Sequence, residues 1–244
     1  MEMPLKKPVR AIWSASFFLA LALSLTGCIS VEQTISLNAD GSGVIELTYG
    51  MSQENIARIQ DMTASESNGP AATPLTFSEE EIRKDFEAYK PFGVALKSVK
   101  TEERGAWKYR TLDISFANLA GLAKTEFVSD RYMSLAKDAQ GNYVFTQSAT
   151  ADEGKVEAGG AASQTEPALT NLMKGFKAVM RVKAPGKILD TNAPEKTEDT
   201  ATWTYDLDKD PQALDKVQRA SMRLVFAGQG LTIPEFRAGA SSSR

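Results

Sequence analysis

The chain has 244 residues, of which 42% are hydrophobic and 24% are charged, and its formal net charge is −3. This composition predicts a folded body with a real core, and the mildly acidic charge gives no reason to expect nucleic-acid binding. The sequence contains no histidine and a single cysteine, Cys28. Disulfides within the chain, Cys/His zinc sites, thiolate nucleophiles in the body and Ser-His-Asp triads are therefore excluded.

The N-terminal segment has the pattern of a secretory signal peptide. Three basic residues precede a mainly apolar run over residues 11–25, which is short for a bilayer span of roughly 20 residues. The run ends in Leu25-Thr26-Gly27-Cys28, which resembles the bacterial lipobox, where a peptidase cuts before a cysteine that becomes lipidated. We predict removal of residues 1–27, with Leu25, Thr26 and Gly27 as the recognition residues; the alternative is an ordinary signal peptide with a chance cysteine.

Lipidation of Cys28 would make a membrane the first partner of the protein. Two or three acyl chains anchor stably, because each buried methylene contributes about 0.8 kcal/mol. Ile29 follows the cysteine, whereas an aspartate at this position commonly retains lipoproteins in the inner membrane. The resemblance therefore implies the periplasmic face of the outer membrane in a Gram-negative host, and otherwise the outer face of the cytoplasmic membrane.

Residues 28–237 are predicted to form a single lipid-anchored domain. Two stretches of small and polar residues, 64–76 and 149–166, are expected to be flexible insertions. The second could instead be a linker between two domains. Residues 238–244 are predicted to form a disordered tail.

The first half of the body alternates between strand and helix patterns. Apolar and polar residues alternate on either side of Asp40-Gly41, which predicts a β-hairpin. Helices are expected to begin after Ser52 and after Ser78, where Glu81 completes a capping box. Further elements are predicted as strands over 94–101 and 107–116 and a helical turn over 118–124. The strand over 107–116 changes its apolar phase midway, which indicates a bulge or a strand covered on both faces.

The second half reads mainly as strands. A second hairpin is predicted around residues 138–141, and an alternating strand over 176–182 runs into a type II turn at Ala184-Pro185-Gly186-Lys187. Two more strands, over 203–207 and 222–226, flank a short helix over 211–218. Together these patterns predict an α+β fold, with a mostly antiparallel β-sheet and a few packed helices.

No stretch predicts catalysis or a bound cofactor. Asp206, Asp208 and Asp210 have the spacing of a calcium loop, but Pro211 replaces the required glycine and Val217 the required glutamate. We predict no metal site, no cofactor and no enzymatic activity, and an enzyme is the weakest of the functional hypotheses.

Aromatic and methionine side chains are frequent in the predicted strands. If the sheet curves beneath its helices, these side chains could line an apolar pocket; the alternative is an ordinary filled core. The candidate pocket residues are Trp107, Tyr109, Phe176, Met180, Trp203 and Tyr205.

The lipobox, the hairpin at Asp40-Gly41-Ser42-Gly43 and the strand-turn-strand from Val182 through Tyr205 together resemble envelope lipoproteins with an LppM-type domain. The resemblance implies an α+β body without known catalytic residues that binds lipid or glycolipid. Our leading hypothesis is a non-enzymatic binding module for a lipid or other hydrophobic ligand. The alternative is a structural or assembly subunit that docks to another envelope protein.

Overall fold

The computed structural model describes residues 29–64, 78–125, 132–148 and 173–238, which form two β-sheets with short helices beside them. The larger sheet contains β1 (Ile29–Leu37), β2 (Gly43–Ser52), β3 (Val94–Arg104), β4 (Trp107–Phe116), β7 (Lys177–Lys183), β9 (Glu195–Lys196) and β10 (Thr200–Asp206). The smaller sheet contains β5 (Tyr132–Lys137), β6 (Tyr143–Ser148), β8 (Ile188–Thr191), β11 (Ser221–Phe226) and β12 (Phe236–Ala238). The helices are α1 (Gln53–Ala64), α2 (Glu79–Glu87), α3 (Leu119–Leu122) and α4 (Ala213–Gln218), with a 3₁₀ turn at Lys90–Phe92.

The strand order of the larger sheet is β3-β4-β2-β1-β7-β10-β9, and that of the smaller sheet is β12-β5-β6-β11-β8. Strands β1 and β7 pair in parallel, and the other pairs described are antiparallel. Strand β1 therefore lies in the middle of the larger sheet. The predicted α+β class with a mostly antiparallel sheet is confirmed.

Both predicted hairpins form, and their turns have the same construction. The backbone N–H of Asn38 donates to the Ser42 carbonyl between β1 and β2, and the N–H of Asp138 donates to the Asn142 carbonyl between β5 and β6. A glycine with positive φ follows in each turn, Gly41 at 85° and Gly141 at 81°. Glycine adopts this left-handed conformation without steric cost, which explains why the turns were visible in the sequence.

The predicted helix starts are also confirmed. The Ser52 hydroxyl accepts a hydrogen bond from the Asn55 N–H at the start of α1. At α2, the Ser78 hydroxyl accepts from the Glu81 N–H while the Glu81 carboxylate accepts from the Ser78 N–H. This capping box satisfies donors that the first helical turn leaves unpaired.

One apolar core includes residues of both sheets. On the larger sheet its central row runs across five strands, and these side chains are at most 2% exposed: Ile114, Ile45, Ile35, Val182 and Ala201. The matching row of the smaller sheet is fully buried and consists of Leu135, Phe145 and Leu224. We call the core-bearing face of the larger sheet its inner face and the opposite face its outer face.

The segment before β12 links the two sheets. The Tyr143 hydroxyl of β6 donates to the Ile233 carbonyl and accepts from the Ile233 N–H, both at 2.9 Å. The neighbouring Thr232 N–H donates to the Ala39 carbonyl in the β1–β2 turn. This segment therefore connects the first hairpin of the larger sheet to the centre of the smaller sheet.

Three details differ from the sequence-based expectations. The prediction of a type II turn at 184–187 was wrong. Such a turn needs positive φ at Gly186, which is not among the described glycines with positive φ. The chain there passes from the larger sheet to the smaller one. Glycine is needed at Gly186 for another reason: a Cβ there would lie 2.5 Å from the Ala227 carbonyl oxygen.

The second difference concerns the bulge considered for β4. The register shift lies in β3 between Leu96 and Ser98, while β4 pairs with β2 without a break.

The third difference concerns short strands. Strands β8, β9 and β12 were not predicted, and Ala238, placed at the start of the expected tail, ends β12. Residues 1–28, nearly all of the predicted insertions at 64–76 and 149–166, and tail residues 239–244 lie outside the described residues. Within the described part of the chain, no helix has the length and apolar character needed to cross a membrane.

Candidate binding groove

The six predicted pocket residues lie on two different faces of the larger sheet. Met180 and Trp203 pair directly on the inner face, and Tyr205 lies two residues further along β10 on the same face. Phe176, immediately before β7, is 8% exposed, and its carbonyl accepts the Leu207 N–H. The structure therefore brings these four residues to one side of the sheet.

Trp107 and Tyr109 lie on the outer face instead. The inner-face residues of β4 are Leu112, Ile114 and Phe116, so the odd-numbered side chains of this strand point the other way. The rings of Trp107 and Tyr109 stack on each other with centroids 5.7 Å apart. The structure thus does not bring all six candidate residues into one pocket.

An open groove of about 800 Å³ lies between β10, α4 and the loop that follows β8. Trp203 and Tyr205 line it, and Trp203 is only 4% exposed because it also belongs to the core. Ala220 contributes an apolar wall after α4, and Pro194 lies in the loop. This groove, which we call the β10–α4 groove, combines an aromatic floor with a polar rim.

Asn192 holds the groove together, and no sequence pattern had singled it out. Its side-chain oxygen accepts from the Trp203 indole N–H at 3.2 Å and from the Arg223 backbone N–H at 2.9 Å. Its amide nitrogen donates to the Ser221 carbonyl at 2.7 Å. Because one side chain bonds to β10 and β11, it fixes the orientation of Trp203 at the point where the two sheets meet. An asparagine next to Ala193-Pro194 looks like ordinary turn chemistry in a sequence, so this role has no local signal.

Charges of both signs surround the groove, and several are paired. Lys216 lies 2.6 Å from Asp210, and Lys209 lies 3.6 Å from Asp206. The hydrogen bond from Lys216, followed by that from the Gln212 N–H, lowers the pKa of Asp210 below its usual value. The rim therefore carries nearly balanced charge and does not select strongly for an anion or a cation. No group of three or more His, Cys, Asp or Glu side chains suited to a metal ion occurs among the described residues.

The groove lies at the end of the larger sheet where β1 begins, which we call the Ile29 end. Tyr205 pairs with Ala178, and Ala178 pairs with Val31, so the three lie at one level of the sheet. Two strand spacings separate β10 from β1, which is about 10 Å. The aromatic floor is consequently close to the residue that follows Cys28 in the chain.

At the level of Val31, the inner face carries polar side chains on the two strands beyond β1, which are β2 and β4. Val31 pairs with Tyr49, and Tyr49 pairs with Arg110, which is buried and donates from Nε to the Thr101 hydroxyl at 3.1 Å. Burial raises the pKa of the Tyr49 hydroxyl and lowers the pKa of the Arg110 guanidinium. The inner face therefore becomes less apolar toward the Ile29 end, in contrast to the closed core at its centre.

No family model and no curated protein sequence matches the chain. Among solved structures, the NMR structure of the folded domain of LppM from Mycobacterium tuberculosis is similar, with a TM-score of 0.42 and 14% sequence identity. The match covers 82% of this chain and 91% of that domain. The LppM domain is thus one solved structure that this chain resembles in part.

Proposed function

We propose that the protein is an envelope lipoprotein, anchored through Cys28, that binds a lipid or other hydrophobic ligand in the β10–α4 groove. The observation that supports this proposal is the aromatic floor of the groove at the Ile29 end, where Tyr205 is level with Val31. A ligand held there would lie close to the membrane that supplies it. Its apolar part would contact Trp203 and Tyr205, and its polar part would meet the charged rim.

The volume and the charges limit the class of ligand. About 800 Å³ of open space accommodates a single acyl chain or a small amphiphile rather than a whole glycolipid. The lysine–aspartate pairs of the rim leave little net charge, so a neutral or zwitterionic head group fits better than a strongly anionic one. Neither feature requires an enzymatic step.

Native mass spectrometry of the mature body, produced with a non-lipidated signal and purified from an envelope extract, tests the binding. We expect a bound lipid in the wild-type protein and its loss in Tyr205→Ser. The matched control is Tyr109→Ser, because Tyr109 is a half-buried tyrosine on the outer face of the same sheet. Protein that is ligand-free throughout, with no uptake of added lipid, would contradict the proposal, as would equal loss in both variants when circular dichroism reports folded protein.

The alternative function, docking to another envelope protein, requires an exposed apolar patch. The large exposed apolar side chains among the described residues are Val44, Phe92 and Leu189, which come from three different elements. Crosslinking of the anchored protein in cells is the direct test of this alternative.

A further inference from the structure

A partly exposed aromatic pair lies on the outer face of the larger sheet, away from the β10–α4 groove. Trp107 and Tyr109 stack at an interplanar angle of 16°, and the guanidinium of Arg104 lies 5.2 Å from the centre of the Tyr109 ring. The space under the tyrosine ring is kept free by a glycine, because a Cβ at Gly50 would lie 2.5 Å from that ring. The pair is therefore held in a fixed position on the sheet surface.

The pairing of the strands places this aromatic pair at the Ile29 end. Ile29 pairs with Met51, and Met51 pairs with Lys108, the residue between the two aromatic side chains. Two strand spacings separate Ile29 from Lys108, which is about 10 Å. Cys28 is covalently bonded to Ile29, and consecutive Cα atoms are about 3.8 Å apart. Trp107 consequently lies within about 14 Å of Ile29, the residue that follows the cysteine with the predicted lipid.

The β3–β4 hairpin that carries Trp107 projects beyond β1 at this end. Ser52, one residue beyond the partner of Ile29, pairs with Trp107, and the turn residues Gly105 and Ala106 extend further still. The Cβ position of Gly105 has no described atom within 4 Å, so that side of the tip is open, while the Ala106 carbonyl accepts the N–H of Gln53 at the start of α1. The tip and its aromatic pair would therefore reach the membrane surface before the rest of the sheet does.

We propose that Trp107 and Tyr109 insert into the head-group region of the bilayer that holds the lipid on Cys28. Tryptophan and tyrosine favour this region because one part of each ring is apolar and the other part is polar. The nearby charges are Arg104 and Lys108 against Glu102 and Glu103, so the contact is aromatic rather than polybasic. The inference rests on the proposed lipid anchor, but it names a second contact that the anchor alone does not require.

The tryptophan content of the chain allows a direct measurement. Of its three tryptophans, Trp13 lies in the predicted signal peptide, which leaves Trp107 and Trp203 in the mature protein. The mature acylated protein would be reconstituted into vesicles of phosphatidylethanolamine and phosphatidylglycerol, with and without dibrominated acyl chains, because bromine quenches tryptophan on contact. Trp203→Phe leaves Trp107 as the reporter of insertion, and Trp107→Phe leaves Trp203, which reports separately on lipid held in the β10–α4 groove.

In Trp203→Phe we expect brominated lipid to quench the emission of Trp107 at least twofold, with little dependence on salt. Quenching of Trp203 in Trp107→Phe would report lipid in the β10–α4 groove and does not enter this comparison. If Trp203→Phe does not fold, the spectrum of wild-type protein minus that of Trp107→Phe reports Trp107 instead. An unquenched Trp107 in protein that carries acyl label would overturn the inference and leave the anchor intact. A Trp107 that becomes protected only as protein concentration rises would indicate a second copy and would also overturn it. Absence of acyl label on Cys28 would overturn both proposals.

Discussion

The hydroxyl of Tyr143 is a single group whose removal should loosen the link between the two sheets. Tyr143 is 1% exposed, its ring stacks on Phe226, and its hydroxyl bonds both the N–H and the carbonyl of Ile233 at 2.9 Å. Tyr143→Phe keeps the ring and its packing but leaves two buried backbone groups without this partner. A stranded buried donor or acceptor costs about 1–3 kcal/mol, so we expect the free energy of unfolding to fall by about 3 kcal/mol.

For a domain of this size, 1 kcal/mol shifts Tm by roughly 2–4 °C, so the expected loss is about 6–12 °C. Urea unfolding followed by circular dichroism measures the change, and amide hydrogen exchange should show faster exchange at Ile233. Tyr109→Phe is the control, because no hydrogen bond of the Tyr109 hydroxyl occurs among the described residues, and we expect a change within about 0.5 kcal/mol. A Tyr143→Phe protein as stable as wild type, or a control that loses as much, would refute the reasoning.

Three further predictions concern separate parts of the chain. Gly228→Ala should lower the unfolding free energy by about 1–3 kcal/mol in urea titration, because the added Cβ would overlap the Gly141 carbonyl oxygen; an unchanged midpoint would show that this contact relaxes freely. Burial raises the pKa of the Tyr49 hydroxyl above its ordinary value of 10.0. As the pH rises past 10, the unfolded state therefore releases this proton before the folded state does. The stability that the protonated hydroxyl contributes is complete below pH 10 and is lost as the pH rises through the higher folded pKa. Tyr49→Phe should therefore lose less stability than wild type between neutral and strongly alkaline pH, and parallel curves would contradict this. Cys28→Ser should abolish incorporation of radiolabelled palmitate, and a wild-type protein without label would remove the basis for the anchor.

Local patterns in the sequence predicted most of the elements around the sheets. Gly41 and Gly141 mark turns that need positive φ, and the pair Ser78 and Glu81 marks a helix start through bonds between near neighbours. Each of these features depends on residues within five positions of one another. Such signals survive in any tertiary context, which is why the hairpins and helix starts were predicted correctly.

Features that depend on distant contacts were not predictable in the same way. Gly186 resembles a turn glycine next to a proline, yet its requirement comes from the backbone at Ala227, some forty residues away. Strands β8, β9 and β12 have two to four residues each, too few to show an alternating pattern. Their pairing comes from the neighbouring strands of the two sheets rather than from their own composition.

The candidate pocket illustrates the limit of composition as a guide. Six aromatic and methionine residues in predicted strands suggested a common lining, but strand alternation separates them. In the sequence of β4, Trp107 and Tyr109 already alternate out of phase with Leu112 and Ile114. Because β4 pairs with β2 without a bulge, the two aromatic side chains lie on the opposite face of the sheet from Leu112 and Ile114. Asn192, which orients Trp203, had no local signal because its partners lie on two other strands.

The β10–α4 groove and the aromatic pair Trp107 and Tyr109 lie on opposite sides of β1 in the larger sheet. This arrangement predicts how lipid transfer into the groove depends on insertion of the aromatic pair. The proposed tether would begin one residue before Ile29, and it would permit rotation of the sheet about the anchor but little separation from the membrane. Insertion of Trp107 and Tyr109 would stop that rotation and hold the β10–α4 groove, two strands away on the other side of β1, at a constant distance from the membrane.

Replacing both aromatic residues by serine should therefore slow the transfer of a fluorescent lipid from the bilayer into the groove several-fold. The affinity of the non-lipidated body for the same lipid in solution should stay unchanged, because neither residue lines the groove. Equal transfer rates would show that the anchor alone positions the groove, and a loss of affinity in solution would show that the outer face supports the groove structurally.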